Sequence, residues 1–154
     1  MVIREAQMDD AQTLKELHDR SALELCRQDY SSKQLEDWVN YSTVEKYQER
    51  LKSHRTFVAE TGGNIVGYVR WNPATNELCS IFVDPDHVRQ GIATKLMKRA
   101  YEDAASMNVE NLWLYASLTA VPFYEAEDWQ YVEKTMRGWL ECVRMEKTLR
   151  LEKE

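Results

Sequence analysis

Ile81-Phe82-Val83-Asp84-Pro85-Asp86-His87-Val88-Arg89-Gln90-Gly91-Ile92-Ala93-Thr94 is the stretch that decides the fold. An apolar strand breaks at Asp-Pro, a short polar loop follows, and a helix opens near Gly91. The unpaired amides at a helix N-terminus carry about half a positive charge, and a residue without Cβ lets another molecule approach the main chain. A phosphate or pyrophosphate is the natural guest. Taken alone, a Gly-x-Ala after a strand fits any phosphorylated cofactor.

Downstream, Ile92, Leu96, Ala100, Tyr101, Ala104 and Met107 recur at helical spacing, while Lys95, Lys98, Arg99, Glu102 and Asp103 face away. Asn111 to Ser117 is nearly all apolar, as expected of a strand buried on both faces and parallel to the one before the helix. The result is a β-α-β unit. Thr119 is placed to cap a short helix with Pro122 in its first turn, and Tyr131 to Thr135 and Leu140 to Lys147 supply two late strands.

Upstream, Thr56 to Glu60 and Ile65 to Trp71 flank Thr61-Gly62-Gly63-Asn64, the clearest hairpin in the chain. The turn Asn72 to Asn76 leads to a strand from Glu77 to Val83, which extends an antiparallel meander. The N-terminal third reads as a strand, Val2 to Ala6, and then helices. Asp9 or Asp10 can cap the first, which carries Ala11, Leu14, Leu17 and His18 on one side. Ser32 can cap the second, and Val44 to Leu51 makes a further helical stretch.

A chain of 154 residues fits one domain, 1–154, with a core that needs neither metal nor disulfides. A net charge of −6 argues against a nucleic-acid partner, whose backbone attracts clustered Lys and Arg, and would suit an amine or a basic peptide end. No apolar run is long enough for a bilayer span, and Met1 to Glu5 lacks a signal-peptide profile, so a cytoplasmic setting is expected. Cys26, Cys79 and Cys142 form no Cys-x-x-Cys pair and read as buried thiols, with no metal site. Among the histidines, His18 lies on an apolar helix face, His54 in a basic turn, and His87 in the loop without a triad carboxylate. Their separation is not that of zinc ligands. No Gly-x-Ser-x-Gly elbow of a hydrolase is present.

The order of strand, Val-Asp-Pro, Arg89-Gln90-Gly91-Ile92-Ala93-Thr94, amphipathic helix, apolar strand, Ala116-Ser117 and Pro122-Phe123-Tyr124-Glu125 resembles the GNAT (GCN5-related N-acetyltransferase) superfamily over almost the whole chain. Tyr30 to Trp38, Ala116 to Ala120 and Glu141 to Met145 are similar to the small bacterial YafP-type acetyltransferases. The resemblance implies an α/β (α+β) fold. Its mixed central sheet of about seven strands would have an N-terminal antiparallel meander and a splayed parallel pair after the cofactor strand, with about four flanking helices. It also implies acetyl-CoA as cofactor, its pyrophosphate on the amides of Arg89, Gln90, Gly91, Ile92, Ala93 and Thr94 and its pantetheine arm beside Ile81, Phe82 and Val83. An exposed strand edge can hydrogen-bond such a peptide-like arm as an added strand.

Two places depart from the family pattern. The family usually has Gln or Arg three residues before the glycine and often Gly two before it, where this chain has Val88 and Arg89. Main-chain amides do most of the cradling, so binding should survive. After Tyr124 the usual Gly-Phe is replaced by Asp128-Trp129, where Asp tolerates the left-handed conformation and Trp129 can fill the Phe site.

Acetyl transfer to nitrogen needs a proton acceptor, an oxyanion donor and an acid for the departing sulfur. By resemblance, Tyr124 is the acid and the Ile81 amide the oxyanion donor. Tyr124 also reads as a packed tyrosine beside Phe123. Glu77 is the candidate base, on a face shared with Cys79, Ile81 and Val83 by strand alternation, or an exposed strand-end glutamate. Ser117 touches the pantetheine or sulfur, or caps the turn. Three functions fit: an N-acetyltransferase of a small-molecule or peptide amine, a non-catalytic acyl-CoA-binding sensor or partner protein, and a toxin acetylating aminoacyl-tRNA, which the acidic charge disfavours. The acceptor region, Cys26 to Trp38, Trp71 and the late hairpin, hints at an aromatic and acidic lining. Monomer or homodimer are both compatible with the chain.

Overall fold

A computed structural model describes residues 1–149. Seven strands form one sheet in the order β1-β2-β3-β4-β5-β7-β6. They are β1 (Val2–Glu5), β2 (Arg55–Thr61), β3 (Asn64–Asn72), β4 (Glu77–Val83), β5 (Asn111–Ser117), β6 (Gln130–Arg137) and β7 (Leu140–Thr148). The helices are α1 (Ala11–Leu25), α2 (Ser32–Tyr41), α3 (Val44–Ser53), α4 (Ile92–Ser106) and α5 (Val121–Ala126). β1 to β4 form the antiparallel meander expected from the hairpin signals. β4 and β5 run parallel and meet at a single register pair, Glu77 with Trp113, before they part. The expected splay is therefore present, with five α-helices among the described residues rather than about four.

Two cores hold the sheet. On one face Leu96, Met97, Ala100 and Ala104 of α4 pack on Phe57, Val69, Trp71, Leu112, Leu114 and Met145. α4 lies so close that a Cβ on Gly67 would meet Leu96, Ile92 and the Phe82 carbonyl within 3.0–3.2 Å. On the other face Leu14 and Leu17 of α1 and Tyr47 of α3 cover Val58 and Tyr68.

Several local expectations change. Met107 is exposed, whereas Asp103, expected to face solvent, is buried. Its carboxylate accepts from Arg55 Nη2 at 2.8 Å and Nε at 2.9 Å and from the Trp71 indole at 2.9 Å, replacing the water it loses. Burial alone would raise the Asp103 pKa, but these donors hold it below the usual carboxylate range. α2 is capped by Ser31, not Ser32, in a reciprocal capping box with Gln34. Asp10 closes a short 3-10 turn by accepting from the Gln7 amide at 2.7 Å and does not cap α1 with its side chain. β5 is fully buried only at Leu112, Leu114 and Ala116. Trp113 and Tyr115 are half-buried on the other face, under the guanidiniums of Arg144 (4.3 Å) and Arg137 (5.3 Å).

Candidate active site

The phosphate-loop stretch folds as its residues dictate. Asp84 is buried where β4 ends, accepts from the Asp86 amide at 2.9 Å and pairs with Arg20 of α1, which pins the turn Pro85–His87. Arg89 and Gly91 then both take positive φ, 64° and 77°, and Gly91 is the N-cap of α4. A left-handed Arg89 explains why glycine suits this place, since a side chain there costs about 1–2 kcal/mol. A Cβ on Gly91 would point into open space. The first turn of α4 carries no acidic residue, and Arg89, Gln90, Gly91 and Thr94 are exposed. An anion meets amides there and no opposing carboxylate.

Where β4 leaves β5, a cavity of about 360 Å³ opens toward α1, α2 and α3. Ile81, Phe82, Val83, Ser117 and Tyr124 all line it, so five of the residues singled out in the sequence meet at one place. Because β4 has left β5, the edge of Ile81 to Val83 has no strand beside it on that side. Tyr124 is 5% exposed, and burial together with nearby Tyr101 raises its pKa, so the phenol keeps its proton at neutral pH. Ser117 Oγ accepts from the Ala120 amide at 3.2 Å and thus caps the turn into α5 as well as lining the cavity. Thr119 does not cap α5; its hydroxyl donates to Asp29 at 2.6 Å, and Ala120 is the N-cap. After α5, Asp128 is left-handed (φ 66°) and Trp129 is buried, donating to the Tyr101 hydroxyl at 2.9 Å, as the Asp-Trp reading required.

Glu77 is placed differently from the alternation argument. A bulge in β4 sets Arg70 against Ser80 but Trp71 against Leu78, so Cys79 is the extra residue. Leu78, rather than Glu77, shares the α4-side core with Ile81 and Val83. Glu77 lies outside the cavity lining, and its Oε2 is 3.7 Å from Nη2 of Arg137, which does line it.

Sequence reasoning missed two sets of residues. The Tyr30 hydroxyl donates to the Glu141 carbonyl at 2.6 Å and accepts from the Leu118 amide at 2.8 Å, tying the loop after β5 to β7 and so fixing the approach to Tyr124. Burial pushes the Tyr30 phenol up to about 12. Arg50, Arg70 and Arg137 also line the cavity, beside Trp38, Tyr41, Tyr47 and Trp139. The lining is aromatic as anticipated, though Trp71 is buried in the α4-side core and takes no part; among the described residues the lining contains no Asp or Glu and is cationic, not acidic. His18 is buried at the cavity wall, packed edge-on to Phe82 and Trp38; burial lowers its pKa despite Asp19 at 3.1 Å.

The residues present suit a phosphorylated, peptide-like cofactor: exposed amides over an open glycine, a free strand edge, and a protonated phenol beside it. Comparison with known proteins agrees. The acetyltransferase (GNAT) domain family matches residues 26–149, and the chain belongs to that family of N-acetyltransferases. The uncharacterized N-acetyltransferase YafP of Escherichia coli K12 is 28% identical over 132 residues, 86% of this chain and 83% of that protein. The fold is shared with a GCN5-related N-acetyltransferase from Rhodopseudomonas palustris (TM-score 0.91, 24% identity, covering 96% of this chain and 95% of that one). It is shared also with the PaiA N-acetyltransferase of Thermoplasma acidophilum in complex with coenzyme A (TM-score 0.82, 19% identity, 96% and 98%).

Proposed function

We propose that the chain, as one N-acetyltransferase domain, moves an acetyl group from acetyl-CoA to the primary amine of a small molecule or peptide within a ternary complex. The observation that carries this reading is the meeting of the free β4 edge, Ser117 and buried Tyr124 around one cavity, with the Gly91 helix start following β4 directly in the chain. Bound acetyl-CoA supplies an acyl thioester, so that a C–N bond forms as the C–S bond breaks.

The chain's residues supply the rest. The amides from Arg89 to Thr94 hold the pyrophosphate, and Ile81, Phe82 and Val83 hold the pantetheine arm through their main chain. The Ile81 amide donates to the developing oxyanion. Tyr124, kept protonated by its burial, gives its phenolic proton to the departing sulfur. Ser117 borders the same space. Glu77 takes the ammonium proton through water, with Arg137 fixing its carboxylate. Direct transfer is favoured over an acyl-cysteine because burial raises all three thiols, Cys79 to about 11, which leaves little thiolate at neutral pH. The three free thiols also suit a cytoplasmic setting.

Release of CoA thiol from acetyl-CoA, followed against a panel of amines, antibiotics and peptides, tests the reading. Amine-dependent release is expected. Tight CoA binding without release for any amine would instead support the sensor.

A further inference from the structure

The cavity wall also carries positive charge. Arg70 of β3 is only 8% exposed. Its Nη2 donates to Ser80 Oγ at 3.2 Å, while its Nε and Nη1 are buried without a hydrogen-bond partner. Arg50 of α3 joins it, donating to Ser42 Oγ at 3.3 Å and lying over the Tyr47 ring at 5.3 Å. Among the described residues no carboxylate stands within 4.0 Å of either guanidinium. Arg137 is a third guanidinium in the same lining, but it is paired with Glu77 at 3.7 Å. His54 registers the field: burial, Arg70 and Arg50 together push its pKa down to about 4.

Burying a guanidinium without an anion is costly, and a donor left unpaired adds to that cost. The planar Arg fork matches a carboxylate in particular, through two parallel N–H···O bonds. On a chain of net charge −6, a cavity wall bearing three arginines and no acid is not a consequence of composition.

We propose that the acetyl acceptor is an amine that also carries a carboxylate, of the amino-acid type, and that Arg70 with Arg50 binds the carboxylate. This rests on the N-acetyltransferase reading and narrows its substrate. The Arg70 Nη1 and the Nη2 proton not given to Ser80 supply the parallel pair of donors, Arg50 adds charge, and the aromatic wall of Trp38, Tyr41 and Tyr47 takes the substrate's apolar part. A neutral amide or a plain amine of the same shape leaves the guanidinium unpaired and is rejected.

The test measures thiol release from acetyl-CoA by the full chain with the standard amino acids, each beside its carboxamide and its decarboxylated amine. At least one acid should be preferred over its neutral counterparts by about a hundred-fold, and Arg70→Met should erase most of that preference. CoA affinity by calorimetry reports whether the variant is folded, and Arg50→Met replaces it if it is not. Equal rates for acids and neutral counterparts, or a preference unchanged in both variants, would overturn the proposal. If no amine is turned over, the acetyl-transfer reading fails, and titration of the same amino acids into the CoA-loaded protein decides the site separately. Binding lost in Arg70→Met supports it. Absence of binding by every acid, or binding only of phosphonate analogues, overturns it.

Discussion

The two ends of the proposed site are built from different materials. At the cofactor end the main chain would do the binding: a free edge of β4, two left-handed residues and the first amides of α4, all within one stretch of fourteen residues, 81–94. At the proposed acceptor end side chains would do it, with His18 from α1, Trp38 from α2, Arg50 from α3, Arg70 from β3 and Trp139 from the β6–β7 turn. A backbone site should tolerate exchange of its side chains, such as Val88 and Arg89. A side-chain site changes its ligand with each exchange. One end can therefore stay constant in chemistry while the other sets the acceptor.

The largest effect that would break this contrast is at Gly91. Gly91→Asp places a carboxylate in the open space above the amides, and CoA affinity measured by calorimetry should fall by about a hundred-fold or more, as expected for a charge opposed at close range. Unchanged affinity in the folded variant would remove the backbone cradle. Tyr124 lines the same cavity as the β4 edge. Tyr124→Phe keeps the ring and its packing but loses a contribution made in the transition state, so single-turnover rates should drop by about a hundred-fold while CoA affinity changes little.

A smaller effect separates the ends by pH. The folded His54 pKa lies near 4, below the unfolded value of about 6.5. The unfolded chain thus binds the proton first, and stability that is complete above about pH 6.5 declines as pH falls toward 4. Buried His18, whose pKa is also lowered, acts in the same direction. His54→Gln should flatten the slope in denaturant midpoints measured across this range, leaving the part due to His18. A carboxylate held by Arg70 and Arg50 should raise the His54 pKa, which its imidazole NMR shifts would report.

The smallest effect is at Arg89, whose φ of 64° is strained for a side chain. Arg89→Gly relieves about 1–2 kcal/mol of strain but adds freedom to the unfolded chain, so the stability change should stay within about 1 kcal/mol in chemical denaturation. CoA binding should persist, because the amide remains.

The same contrast explains what could be read from the sequence. The strand, loop and glycine of residues 81–94 are contiguous and were legible, and the left-handed Asp128 and buried Trp129 were legible from the Gly-Phe that the family resemblance puts at that place. Arg50 and Arg70 are twenty positions apart on different elements, and nothing in a strand pattern shows that Arg70 points inward with its Nε and Nη1 unpartnered. Asp103 lies on the apolar side of α4 only because Arg55 and Trp71 arrive to satisfy it, a tertiary compensation that overrides helical periodicity. The bulge at Cys79 defeated the alternation used for Glu77, since one extra residue moves every earlier side chain to the opposite face. Thr119 had the right chemistry for a helix cap, but Asp29 from the distant α1–α2 connection claimed its hydroxyl.

If both ends serve one reaction, acetyl transfer through a ternary complex, CoA thiol is released in a single turnover after the acetyl-CoA-loaded protein is mixed with an amine. Rapid release that requires the amine, with no acetylated protein left after acetyl-CoA alone, is the predicted result. Stoichiometric acetylation of Cys26, Cys79 or Cys142 before the amine is added would contradict it.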